Sequence, residues 1–267
     1  MSLFLFLTLV GKAQFWEVGF SAGTAHYFGD LNMYNSMRKP GGMIGGIAKY
    51  NFTDYIAMRV TGTYGLIHFS DKNSINPYFS ARNLSFYSSL YEGSFAFEFN
   101  FFKYRVQSND FFYTPYAIIG VGVFGYNPKA KLNGTTYNLR DYGTEGQIRS
   151  DVTGTDKYQT NQFSFPIGMG FKYWIHNRWS ASFEAGYRFT STDYLDDVSG
   201  TFVDKRILNS GIGGNYITPI LADRSSEIGA SISMAGKQRG DSKSKDGFMF
   251  LTLSLTHNFK SDRCPKQ

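Results

Sequence analysis

Trp179-Ser180-Ala181-Ser182-Phe183-Glu184-Ala185-Gly186-Tyr187-Arg188-Phe189-Thr190 is the stretch that decides the fold. One parity carries Trp179, Ala181, Phe183, Ala185, Tyr187 and Phe189, and the other carries Ser180, Ser182, Glu184, Gly186, Arg188 and Thr190. Successive side chains of a strand point to opposite faces, so this segment has one apolar face and one polar face. Tyr91, Gly93, Phe95, Phe97, Phe99 and Phe101 alternate in the same way with Glu92, Ser94, Ala96, Glu98 and Asn100. Met249, Leu251, Leu253, Leu255 and Phe259 alternate with Phe250, Thr252, Ser254, Thr256 and Asn258. Similar patterns cover roughly 15–27, 42–52, 55–68, 113–126 and 160–174. The result is eight segments of about ten residues or more, the length a tilted strand needs to cross hydrocarbon.

Composition narrows the choice. Aromatic residues make up 18% of the 267 residues and charged residues also 18%, against a charged share of about a quarter in ordinary soluble domains. No run reaches the roughly 18 apolar residues of a membrane helix, and the apolar content is far too high for disorder. A soluble β-sandwich would alternate too, so connection lengths must discriminate. They run long (28–41), short (52–54), long (69–82), moderate (103–112), very long (127–157), short (175–177) and very long (190–245). Such sorting is the asymmetry of an outer-membrane barrel, with short periplasmic turns and long extracellular loops. The sequence therefore predicts an all-β transmembrane antiparallel barrel of eight strands, in the cell outer membrane, with both termini periplasmic. Trp16, Tyr50, Tyr55, Tyr116, Tyr173, Trp174 and Trp179 are expected in the interfacial girdles. Residues 1–13, with the apolar run Leu3–Val10 and small residues before a cut after Ala13, read as a signal peptide without a basic leader. The barrel is expected over 14–259 and a periplasmic tail over 260–267.

The inward parities carry Glu17, Lys49, Arg59, Glu92, Glu98, Lys172, Glu184 and Arg188, four acids against four bases. An eight-stranded barrel is only wide enough for side chains to fill it, so these charges are expected to form a hydrogen-bonded plug. Chemistry is otherwise sparse. There is no phosphate-binding loop, no Cys/His metal spacing and no Gly-x-Ser-x-Gly, and the net charge of +6 is not concentrated into a nucleic-acid patch. The one enzymatic alternative is a rim hydrolase in which His26 or His68 activates water beside Asp193, Asp196 and Asp197. His68 stands alone on its strand, without the neighbouring Ser or Asp pattern of barrel proteases or lipid A hydrolases. No catalytic, cofactor or metal residue is expected, and no small-molecule substrate.

Several stretches are more distinctive. Trp16-Glu17-Val18-Gly19, Tyr27-Phe28-Gly29-Asp30-Leu31-Asn32, Thr114-Pro115-Tyr116 running on to Phe124, Tyr142-Gly143-Thr144-Glu145-Gly146-Gln147, Phe165-Pro166-Ile167-Gly168-Met169-Gly170 and above all Thr192-Asp193-Tyr194-Leu195-Asp196-Asp197-Val198-Ser199 occur in order. Together they resemble the PorG family, outer-membrane β-barrel proteins of the Bacteroidetes type IX secretion system, from about residue 15 to Cys264. The resemblance implies a non-enzymatic component of protein secretion, and in some members gliding motility, associated with a periplasmic ring of the lipoprotein PorK and its partner PorN. Thr53, Lys103, Asn177 and Arg263 are then the periplasmic contact candidates. Cys264, the chain's single cysteine, has no partner within it and becomes a candidate for a disulfide to the ring in an oxidising compartment. The alternative from another class is a free-standing barrel that binds an extracellular ligand or surface through its loops.

Overall fold

The eight alternating segments form eight long strands, and a ninth short one extends the wall at one point. A computed structural model describes residues 15–260 save 109, 211–215 and 231, so residues 1–13, expected to be a signal peptide, and Arg263 and Cys264 lie outside the described residues. The strands are β1 (Phe15–Phe28), β2 (Gly41–Asn51), β3 (Ile56–Ser70), β4 (Ser85–Asn100), β5 (Tyr113–Leu132), β6 (Thr135–Asn138), β7 (Asn161–His176), β8 (Trp179–Thr190) and β9 (Gly247–Lys260). Neighbours pair antiparallel; β5 pairs with β7, and β9 returns to β1 from Phe15↔Lys260 to Phe28↔Gly247. A ring of eight strands closes with no free edge, so wall amides pair with neighbouring strands rather than with water.

The connections sort to opposite ends. At one end lie the β2–β3 and β7–β8 turns and the 101–112 loop. Thr53 Oγ1 accepts the N–H groups of Tyr55 (3.1 Å) and Ile56 (3.0 Å) in the first, and Asn177 takes a left-handed φ of 50° in the second. The other end carries the long loops with short helices α1 (Pro77–Arg82), α2 (Leu139–Tyr142), α3 (Ser150–Thr153), α4 (Lys205–Asn209) and α5 (Ile217–Ala222). The 127–157 stretch is less of a loop than its length suggests. β5 continues to Leu132 and turns at Asn133-Gly134, with φ of 51° and 81°, the left-handed pair that a two-residue hairpin requires.

The outer face is an apolar belt that includes Phe20, Ile44, Val60, Phe97, Ile119, Phe163 and Leu253. Aromatics ring the short-turn end: Trp16 packs on Tyr50 (5.1 Å between centroids), Tyr50 on Phe52 (5.0 Å) and Trp179 on His257 (5.0 Å). Tyr116 is a correction to the expected girdle. It is 1% exposed and faces the lumen, because β5 sends Thr114, Tyr116 and Ile118 inward. Gly170 makes room for it, since a Cβ there would meet the Tyr116 ring at 2.4 Å. Trp174 likewise leaves the girdle and packs half-buried with Phe15, Tyr104 and Val106 across the short-turn mouth.

Because Phe97 and Leu253 are half or more exposed on this belt, Phe97→Arg or Leu253→Arg is expected to cost about 2–4 kcal/mol near the bilayer midplane. Denaturant titration of barrels refolded in lipid measures it, with Ser242→Arg in a loop as control. Equal stability of all three variants would overturn the assigned faces.

Candidate functional site

The structure divides the interior into three polar layers. In the middle layer all eight inward charges predicted from the alternation are buried. Glu98 is the hub: Lys172 Nζ donates to Oε1 at 2.5 Å, Lys49 Nζ lies 3.0 Å from Oε2, and Arg59 Nη1 lies 3.7 Å away. Arg59 also reaches across the lumen to Glu184 with two bonds, 2.5 and 2.7 Å, the bidentate fork a guanidinium offers a carboxylate. The Tyr116 hydroxyl donates to the same Glu184 at 2.9 Å. Arg188 Nε meets Glu92 at 3.2 Å and Ser164 Oγ donates to Glu92 at 2.8 Å. Glu17 accepts from Asn51 (3.0 Å) and Thr256 (3.1 Å).

The short-turn mouth is closed by its own loop. Tyr104 folds inward, donates to Ser180 Oγ at 2.7 Å and lies under Lys172 Nζ, 4.7 Å from the ring centroid. Of the contact candidates on that end, Thr53 uses its hydroxyl in the turn, Lys103 sits over Phe111 (4.6 Å) beside Asp54 (3.9 Å), and Asn177 is exposed with its carbonyl accepting from Trp174 Nε1 (2.8 Å).

The long-loop mouth carries a polar cap built from residues far apart in the sequence. Arg82, at the end of α1, donates to Asp71 (2.7 and 2.9 Å) and to the carbonyls of Arg239 (2.5 Å) and Asp30 (3.1 Å). Arg239 donates to Glu145 (2.8 Å) and to the carbonyl of Asp197 (2.6 Å). Asp197 also accepts from Thr144 (2.5 Å) and Tyr158 (2.7 Å). Asp196 accepts from Tyr27 (2.5 Å) and the amide of Val198 (2.9 Å), and Asp246 from the amide of Leu195 (2.9 Å). Tyr158 and Tyr194 stack at 4.7 Å beside them. Asp193, Asp196 and Asp197, expected in an open rim turn, are therefore buried. His26 engages Thr24 Oγ1 at 2.9 Å instead of a carboxylate. Among the described residues no group of three or more His, Cys, Asp or Glu is arranged to hold a metal ion. The stretches Tyr27–Asn32, Tyr142–Gln147 and Thr192–Ser199 all feed this one cap.

Carboxyls outnumber guanidiniums in the cap, and burial raises five of its aspartates. Asp193 is pushed up to about 7, Asp30 to about 6 and Asp197 to about 6, each chiefly by desolvation. Asp196 and Asp246 lie well above the ordinary range, through burial first and then through neighbouring aspartates. Arg82 pulls against the rise at Asp30 and Asp196, Arg239 at Asp197 and Lys245 at Asp193. A carboxyl with a raised folded pKa holds its proton better in the closed cap than in the opened one. The stabilisation is full below about pH 4 and is lost as pH rises through 6 to 7. Amide exchange across 192–200 is expected to be at least about tenfold slower at pH 5 than at pH 8, after correction for intrinsic rates, one pKa unit corresponding to a factor of ten. Equal or faster corrected exchange at pH 5 would contradict the buried-acid reading.

A closed antiparallel ring of eight strands with an apolar belt, a filled lumen and loops sorted by length is the fold of outer-membrane β-barrels. The chain belongs to the family described as a domain of unknown function, DUF6089, which matches residues 1–212. No curated protein matches it in sequence. Among solved structures it is similar to Ail, the attachment invasion locus protein of Yersinia pestis, solved with the heparin analogue sucrose octasulfate (9% identity, TM-score 0.43, 92% of this chain and 99% of that one). It is also similar to Neisserial surface protein A (11%, 0.42, 91% and 97%) and to OprG of Pseudomonas aeruginosa (8%, 0.40, 94% and 98%).

Proposed function

We propose that this barrel is a non-conducting, non-enzymatic outer-membrane component of a type IX-like protein secretion machine, attached through its short-turn end to a periplasmic ring. The observation that carries the reading is the closed interior: Glu98 and its cations fill the middle, and Tyr104 seals one mouth. A barrel sealed in this way does its work on its outer surfaces. The short-turn end offers such a surface, with exposed Phe102 and Phe111 beside Lys103 and Arg105. The resemblance to the PorG family supplies the kind of partner, a ring of a lipoprotein and its companion. Gliding and a Cys264 disulfide belong to the same proposal.

A photo-crosslinking amino acid placed at Lys103 or Asn177 in cells is expected to capture a periplasmic ring subunit. The same group at Lys131, near the opposite end, serves as control. Capture from Lys131 but not from Lys103 or Asn177 would reverse the proposed orientation, and no ring subunit from either short-turn position would reject the attachment.

A further inference from the structure

At the long-loop end, the β1–β2 connection and the segment leading into α1 lean together and leave a cleft of about 530 Å³. That size lies within the range of pockets that bury a small ligand, about 300–1,000 Å³. Leu31, Phe69 and Phe79 form the apolar lining, and Met33, Met37 and Ile75 form the rim. The rim is unusually bare: Ile75 is 81% exposed and Met37 51%. Methionine is the side chain that best adapts to a flexible apolar guest, and a contiguous apolar patch beside a groove marks a binding surface.

The cleft also has one sign of charge. Arg38 and Lys39 line it, whereas neither 31–40 nor 72–82 contains an acid. Among the described residues no carboxylate pairs with Arg38 or Lys39, although Arg105, Arg149 and Arg206 each have one. The two acids adjacent to these segments, Asp30 and Asp71, are both buried, Asp30 accepting the amide of Asp241 and Asp71 bound by Arg82. Just below the cleft, β2 and β3 present Ile44 and Leu66 on the apolar belt, so the cleft opens beside the hydrocarbon edge.

We infer that this cleft binds an anionic membrane lipid, one whose phosphate headgroup carries a net negative charge, with its acyl chain against Leu31, Phe69 and Phe79 and its phosphate between Arg38 and Lys39. The site is independent of ring attachment, which uses the opposite end of the barrel. An apolar lining alone would accept any detergent tail, and a cationic rim alone would accept any anion. Their combination selects an anionic amphiphile.

The test is native mass spectrometry of the barrel released from mixed micelles of phosphatidylglycerol and phosphatidylcholine with matched chains. The wild type is expected to retain one phosphatidylglycerol in preference to phosphatidylcholine. Arg38→Gln with Lys39→Gln is expected to weaken that retention about thirtyfold, the loss of two interfacial cations. Ile75→Asp is expected to abolish it. Lys129→Gln with Lys131→Gln, elsewhere on the long-loop end, should leave it unchanged. Heat-modified mobility on gels confirms that each variant is folded. Equal retention of both lipids by the wild type, or full retention by the Arg38/Lys39 variant, would overturn the inference. Displacement of the lipid by millimolar inorganic phosphate would also overturn it, since the chain would then contribute nothing.

Discussion

Glu98→Ala is expected to lower the unfolding free energy of the refolded barrel by about 3–5 kcal/mol, the cost of removing one partner of a buried ion pair. Glu98 is fully buried and faces Lys49, Lys172 and Arg59. Its loss strands two ammonium groups in a lumen with no bulk water to solvate them. Neither of these lysines has a second acid at comparable distance among the described ion pairs, whereas Arg59 keeps Glu184. Denaturant titration in lipid vesicles gives the number, and Glu98→Gln should recover part of it by retaining a hydrogen-bond acceptor. Neither variant is expected to conduct, because Tyr104 and the cap still close the mouths. A change below about 1 kcal/mol, or large steady currents through the wild type in planar bilayers, would refute the filled interior.

Arg239→Ala should have an effect of similar size, confined to the cap. This guanidinium holds Glu145 and the Asp197 carbonyl and donates to the carbonyl of Ala222 (3.2 Å). Without it, Glu145 and Asp197 face each other with no cation between them, at a cost of about 3–5 kcal/mol. The opening is local, since the wall hydrogen bonds are untouched. Limited proteolysis should cleave the 191–246 connection at least a hundredfold faster while the protease-resistant barrel and its heat-modified gel mobility persist. Wild-type cleavage rates would remove the cap from the account, and global unfolding would show that cap and wall are one cooperative unit.

Much of this architecture is legible in the sequence because a period of two is a strong local signal. It gave all eight strands, the faces of the lumen charges and the sorting of connections. Tyr116 departs from the girdle because a place near a strand end does not fix the face, whereas its parity, shared with Thr114 and Ile118, points inward. The β5–β6 hairpin had a readable signal, Asn133-Gly134, hidden inside a stretch judged only by length. The cap had no such local signal. Asp30 binds the amide of Asp241 across 211 residues and Arg82 the carbonyl of Arg239 across 157, and no alternation relates loops that meet only after the ring has closed. What the sequence did hold were the distinctive stretches 27–32, 142–147 and 192–199, which looked like family markers and are the parts of one buried network.

The cross-lumen pairs also settle a question that the apolar belt leaves open. Sliding one strand along its neighbour by two residues keeps every apolar side chain toward lipid and every polar one inward, so hydrophobic matching cannot tell the slipped barrel from the correct one. The same slide displaces an inward side chain by about 6.6 Å along the strand. Arg59 would then lose Glu184, now 2.5 Å away, and Lys172 would lose Glu98. The charges thus act as a vernier for strand stagger, which fixes the girth and tilt of the finished cylinder. A barrel that closes one notch out of step is left with unmatched ions inside, and is the less stable of the two closed forms.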